Sequence, residues 1–193
     1  MVKYSFCPYC RGKLSYRKDH YQCTSCQKKV FISSYPGVSI LPIKDGKVLL
    51  AKRAEEPKKG TWDSIGGFLK EGEDPEIGVE RETKEETGLE VKLKGLLGIY
   101  TDTYEYEGQV YETLGLDYLA EITGGAVKPK DDVSELVWFP IEKVPKNIAF
   151  KSVAQALKDL KRLYKGSKKG ISLYSKRNAN LSVSLPLGKR SLR

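Results

Sequence analysis

GGFLKEGEDPEIGVERETKEETGL, residues 66–89, holds a loop, a helix start, an acidic helical face and a helix stop. Asp74 is placed to cap a helix, and Pro75 fits its first position, where a missing N–H costs nothing. Gly88 suits the residue just past the end, where left-handed backbone is wanted. Between them Glu82, Glu85 and Glu86 are spaced i, i+3, i+4, which places three carboxylates on one face of one helix. Carboxylates so close repel one another unless something neutralises them. A divalent cation does so, and carboxylate oxygens suit Mg²⁺ or Mn²⁺. A solvated acidic face is the other reading, and the helix alone does not choose between them.

The surrounding residues do. Gly67, Glu73, Arg81, Glu82, Glu85, Glu86, Gly88 and Leu89 stand at the spacing of the Nudix box, and the stretch resembles that signature at every fixed position. One aliphatic position departs: Thr83 stands where Leu or Val is usual, with similar bulk and an added hydroxyl. The resemblance implies an α/β fold, a Nudix α/β/α sandwich with a mixed sheet and two principal helices. It also implies a pyrophosphohydrolase in which water attacks a phosphoanhydride at phosphorus. By the same resemblance, Glu82 and Glu86 are the main ligands of Mg²⁺ or Mn²⁺, Glu85 belongs to their cluster, and the carbonyl of Gly66 reaches the metal. Arg81 is expected to pair with Glu73 and tie loop to helix, supporting the site beside Gly67. Family members often draw one more carboxylate from a loop outside the box, as ligand or base. Asp131, Asp132 and Glu135 are the candidates here, and Asp132 is preferred. Gly78, one turn before Glu82, either leaves room for metal, water or phosphate or permits close helix packing.

Four cysteines fall in the first 26 residues, Cys7 with Cys10 and Cys23 with Cys26, with 12 residues between the pairs. Each CxxC lets two thiolates reach one ion from a tight turn, and two such turns complete a tetrahedral S₄ site that selects zinc. Residues 1–33 are therefore expected to form a small zinc ribbon, stabilised largely by structural Zn²⁺. His20, the only histidine, lies in this segment. It is read as a hairpin residue, since four cysteines already fill the site. Any general base in the body must then be a carboxylate, Lys or Tyr.

Residues 36–164 are expected to form the Nudix domain, and 165–193 a basic, flexible tail. Ser33 to Gly37 reads as a linker, and Asp45-Gly46 as a hairpin turn between two strands. Thr101–Gly108 reads as an exposed turn whose Tyr104 and Tyr106 are candidate substrate contacts. Phe150, Val153, Leu157, Leu160 and Tyr164 share one side of a helix spanning Ala149–Tyr164.

The net charge of +9 is unevenly placed. Residues 1–30 carry seven Lys/Arg and one Asp, residues 165–193 carry eight Lys/Arg and no acid, and the middle is acidic. Basic ends suit RNA, DNA or an anionic surface, or serve solubility alone. No apolar run approaches the ~20 residues of a membrane span, and the N-terminus lacks a signal peptide's apolar core, so a cytoplasmic protein without a membrane partner is expected.

A zinc ribbon before a Nudix domain is similar to the NADH pyrophosphatase arrangement, but the SQPWPFP-type motif of those enzymes is missing from GIYTDTYEYEGQVYETLGLDYL. The chain looks more like ADP-ribose-pyrophosphatase-like zinc-ribbon Nudix proteins. The expected substrate is a nucleoside diphosphate linked to another moiety: ADP-ribose-like, dinucleotide or nucleotide sugar. Relatives of this kind often form homodimers. Two alternatives stay open: a nucleic-acid-directed protein that acts on or senses RNA 5′ ends through ribbon and tail, and a non-catalytic nucleotide-binding module.

Overall fold

Alternating burial along neighbouring strands sets the layers. The computed structural model describes residues 4–167; the rest of the basic tail lies outside the described residues. Strands β1 (Leu14–Tyr16), β2 (His20–Cys23) and β3 (Lys29–Phe31) form a small antiparallel sheet, to which Phe6 and Lys13 add an isolated bridge. The larger sheet contains β4 (Tyr35–Lys44), β5 (Lys47–Arg53), β6 (Trp62–Asp63), β7 (Ile65–Phe68), β8 (Leu89–Tyr106), β9 (Gln109–Gly125) and β10 (Val133–Pro140). Its main order is β10-β5-β4-β9-β8, with β6 on β5 and β7 on β4. β4 and β9 run parallel while their neighbours pair antiparallel, so the sheet is mixed.

Successive residues of the central strands face opposite sides. Ile40, Leu49 and Ala120 pack with Val79 of helix α1 (Pro75–Thr87). Leu41, Leu50 and Leu119 pack with Val153, Leu157 and Leu160 of helix α2 (Lys151–Ser167). Because both faces are covered, β5 reads as a continuous apolar run, Val48 to Ala51, rather than an alternation. This is the expected α/β/α sandwich. Among the described residues no helix is long and apolar enough to cross a membrane.

Local chemistry explains the element ends. Asp74 accepts a hydrogen bond from the Glu76 N–H at 2.9 Å, Pro75 takes the first helical position, and Gly88 closes α1 in left-handed backbone at φ 70°. Asp45 and Gly46 both have positive φ, as a two-residue turn between twisted strands requires.

Three readings differ from the structure. Thr101–Gly108 is not a turn: β8 and β9 stay in register out to Tyr106 and Gln109, and only Glu107-Gly108 turns, again with positive φ at both residues. A Glu-Gly turn lacks the Asn/Asp-Gly signal, and the acids around Tyr104 disguise a strand whose one side is solvated. Tyr35 and Pro36 belong to β4, paired in parallel with Thr113 and Leu114, rather than to a linker. Helix α2 begins at Lys151, not Ala149, and continues through Ser167, past the expected boundary at 164.

Leu160 is fully buried and Leu163, on the same helix, is 40% exposed. Leu160→Ala should cost about 2–5 kcal/mol in urea denaturation, whereas Leu163→Ala should stay within roughly 0.5 kcal/mol.

Candidate active site and cysteine cluster

Gly66 and Gly67, read from the sequence as a loop, belong to strand β7, and helix α1 meets that strand through them. The Gly66 N–H donates to Glu86 Oε2 at 3.1 Å. Gly66 has φ 150°, and a side chain there would lie 2.1 Å from the Val38 carbonyl oxygen. A Cβ on Gly67 would lie 2.8 Å from the Glu82 carboxyl carbon. Each glycine therefore seats one glutamate of the acidic face against backbone.

Arg81 ties the same parts together. Its guanidinium forks onto Glu73 at 2.7 and 2.8 Å, and its Nη1 reaches Glu82 at 2.7 Å and Glu85 at 2.9 Å. Glu73 also accepts from the Lys70 N–H, and with Arg81 beside it the carboxyl is held down to about 2. The expected Arg81–Glu73 pair is present, and Arg81 additionally gathers Glu82 and Glu85.

Among the described residues no such cation pairs with Glu86. Glu86 is 5% exposed. Burial first, then the charges of Asp132, Glu82 and Asp63, push its pKa up to about 9 against the opposing Gly66 N–H. Asp132 is presented by a tight turn in which Asp131 is left-handed, at φ 54°, and Val133 N–H bonds the Lys130 carbonyl. Burial raises the Asp132 pKa too. Of the three candidate carboxylates, Asp132 alone lines the cleft; Asp131 is exposed, and Glu135 lies in strand β10 rather than a loop and pairs with Lys52 at 3.3 Å.

The cleft encloses about 200 Å³ beside this face. Gly66, Gly67 and Asp132 line it together with Tyr104 and Phe150, whose rings lie 5.8 Å apart at 28°. Tyr106 does not line it. The cleft also contains groups that sequence reasoning missed. Arg53 pairs with buried Asp63 at 3.0 Å, bonds the Pro57 carbonyl at 2.7 Å and sits 5.3 Å from the Phe150 ring centroid. Asp117 bonds Ser39 from the adjacent strand, and burial pushes its pKa up to about 6. A lone acid inside the apolar run GLDYLA was a usable signal for Asp117; nothing local flags Arg53 or Asp63.

Gly78 stands under the loop that carries Leu69 and Glu73: a Cβ there would meet Leu69 at 2.5 Å and Glu73 at 3.1 Å. Close packing explains this glycine. Thr83 is fully buried and bonds its hydroxyl to the Val79 carbonyl at 2.6 Å, so the departure leaves no polar atom unsatisfied.

In the ribbon, the sulfur atoms of Cys7, Cys10, Cys23 and Cys26 all lie within 4.8 Å of one another, and the cysteines are free thiols. Among the described residues it is the only cluster of three or more potential ligand atoms this tight. Four thiols so arranged suit zinc. The N–H groups of Ser25 and Cys26 point at Cys23 Sγ, each at 3.4 Å, and with Cys26 the larger contributor hold that thiol down to about 6. His20 stands apart, bonded to Asp19 at 2.7 Å with its ring against Phe31.

A family model described as NUDIX domain matches residues 34–160. The chain belongs to the NUDIX family. It is 38% identical over 122 residues to an "ADP-ribose pyrophosphatase" of Methanocaldococcus jannaschii, covering 62% of this chain and 70% of that protein. It is 30% identical over 155 residues to a "NAD-capped RNA hydrolase NudC" of Vibrio atlanticus, covering 79% of this chain but only 55% of that protein. Among solved structures, a NUDIX hydrolase from Nitrosomonas europaea superposes with a TM-score of 0.72 at 25% identity, over 86% of this chain and 94% of that one.

The folded pKa of Glu86 lies above its unfolded 4.5, so stability present below that pH is lost as the pH rises towards about 9. Without divalent cation, the melting temperature of this Nudix protein should therefore fall between about pH 5 and pH 9 by several degrees more than that of Glu86→Gln. Adding Mn²⁺ should raise the melting temperature of the unsubstituted protein most at the alkaline end. Parallel pH curves for the two proteins would contradict this account.

Proposed function

We propose that this Nudix hydrolase cleaves the phosphoanhydride of a nucleoside diphosphate linked to a second moiety, with ADP-ribose-like compounds as the first class. One observation carries the reading: a single cleft joins Asp132 and the glycines that seat Glu86 and Glu82 to the rings of Tyr104 and Phe150. The first group suits a diphosphate with its cation, and the rings suit a base. The relative named ADP-ribose pyrophosphatase supports this choice, and the missing SQPWPFP-type motif ranks NAD(H) lower.

In this reading Glu82, Glu85 and Glu86 hold Mg²⁺ or Mn²⁺, and the Gly66 backbone belongs to the same site. The donor set fits a hard dication, because desolvated Glu86 stands among acids with one backbone N–H as its hydrogen-bond donor. When bound, the ion neutralises the diphosphate and acidifies the attacking water. Asp132, with its pKa raised by burial, takes the proton from that water. Arg81 and Glu73 keep the loop on the helix. Arg53 braces Phe150 as a flat surface for the base. Tyr106 has no part in this scheme. The four cysteines hold a structural Zn²⁺.

A second reading, action at an RNA 5′ end, is supported by the alignment with the NudC relative, which is longer than the stretch 34–160. A panel of ADP-ribose, NADH, diadenosine polyphosphates, nucleotide sugars and capped RNA, each with Mg²⁺ or Mn²⁺, separates the two. ADP-ribose should be turned over; absence of turnover for the whole panel at micromolar enzyme would overturn the hydrolase reading. Glu86→Gln should lower kcat/KM for the best substrate by about 100-fold or more, with the circular dichroism spectrum unchanged. Native mass spectrometry should find one Zn²⁺ per chain, lost in Cys23→Ser.

A further inference from the structure

The floor of the cleft holds two glycines and a carboxylate that the proposed hydrolysis does not use. Gly37 of β4 lies beside Gly115 of β9, and two residues on, Ser39 lies beside Asp117. That spacing puts all four on one face of the sheet, and all four line the cleft. Glycine inside a strand gives up packing and costs entropy, and it often marks a close approach by something else. Neither Gly37 nor Gly115 has positive φ. A Cβ on Gly37 would come no nearer than 3.4 Å to its surroundings, and one on Gly115 no nearer than 3.7 Å. Both are ordinary contact distances, unlike the 2.1 Å at Gly66 and 2.5 Å at Gly78. Packing does not demand these two glycines, and their missing side chains leave a flat, open piece of sheet. Phe68, the cross-strand neighbour of Gly37, extends it towards the Tyr104 ring 5.4 Å away.

Asp117 differs from the carboxylates around it. One oxygen of Asp63 accepts from Arg53 at 3.0 Å and the other from the Ser64 N–H at 2.9 Å. Asp102 accepts from the Thr103 N–H at 2.8 Å and, at the start of α2, from the Ser152 N–H at 2.7 Å. Asp117 is only 5% exposed and accepts from the Ser39 hydroxyl through Oδ1, but among the described residues nothing donates to its Oδ2. No wholly buried side-chain oxygen among those residues lacks a partner, so Oδ2 is the atom that opens onto the cleft. A nearly buried carboxylate oxygen without a donor is costly, and a ligand N–H would satisfy it.

We propose that Asp117 is a specificity-determining residue: a planar base lies over Gly37 and Gly115, and its exocyclic amino group donates to Asp117 Oδ2. This rests on the reading of the cleft as a nucleotide site and adds which bases that site accepts. Adenine carries an amino group and no carbonyl, so it suits the free acceptor. Hypoxanthine puts a carbonyl oxygen in the place of the amino group, and two acceptors then face each other. Ser39 does not relieve that pairing, because its hydroxyl already donates to Oδ1. A ribose hydroxyl would also meet Oδ2, but it has no use for a flat floor and does not distinguish the two bases.

The test is calorimetric titration of the full chain, with Mn²⁺, using a methylene-bridged, non-hydrolysable ADP-ribose analogue and its hypoxanthine counterpart. The adenine analogue should bind about tenfold more tightly or better. Asp117→Asn keeps the side chain's shape and an acceptor for Ser39, and its amide offers both a donor and an acceptor to the base. In that variant the preference should fall to within about twofold, through tighter binding of the hypoxanthine form. Gly115→Val covers the floor and should weaken both analogues by about tenfold, without lowering the melting temperature, since a β-branched residue suits a strand. Binding of neither analogue, equal affinities for the two, an unchanged preference in Asp117→Asn, or full binding by Gly115→Val would overturn the assignment. Hydrolysis of ADP-ribose and its hypoxanthine counterpart at equal kcat/KM would overturn it too and leave the hydrolase reading standing. Amino-selective binding without turnover of any substrate would support the role of Asp117 and overturn the hydrolase reading.

Discussion

A glutamate kept out of water beside other acids is the constraint on which the site depends. Glu86 is buried next to Asp132, Glu82 and Asp63, with the Gly66 N–H as its hydrogen-bond partner. Withdrawing such a carboxylate from water costs several kcal/mol unless an opposite charge offsets it. Neighbouring features serve that burial. Gly66 and Gly67 lack side chains where a Cβ would collide with β4 or with Glu82. Arg81 locks Glu73 to the helix and so ties the segment that follows β7 to α1. Arg81 pairs with the other two glutamates of the face, Glu82 and Glu85, and among the described residues no ion pair is formed by Glu86.

Much of this was legible in sequence because it is local. The caps of α1 and the spacing of its glutamates depend on residues within one helix. The sandwich was legible in the apolar runs and in the family resemblance. What escaped was made by pairing across distance. Ser39 and Asp117 are neighbours only because β4 lies parallel to β9. Arg53 meets Asp63 because β6 returns onto β5. Tyr104 looked like a turn residue because Asp102, Glu105 and Glu107 surround it in sequence, and its partners Phe68 and Phe150 lie far off in sequence. Gly78 could be assigned to packing only once Leu69 was seen against it.

The two parts of the molecule pose opposite electrostatic problems. The Nudix cleft gathers carboxylates and calls for a cation, while the ribbon gathers thiols and basic side chains. Thiolates favour a soft ion such as zinc, and carboxylates a hard one. Aromatic rings, indifferent to charge, are the one feature the two regions share.

Anomalous diffraction from a crystal grown with Mn²⁺ and a non-hydrolysable ADP-ribose analogue tests the central claim most directly. The account predicts a manganese peak bonded to Glu86 and Glu82, with the analogue's diphosphate against it. A peak placed elsewhere, or an ordered analogue with no manganese beside Glu86, would contradict it.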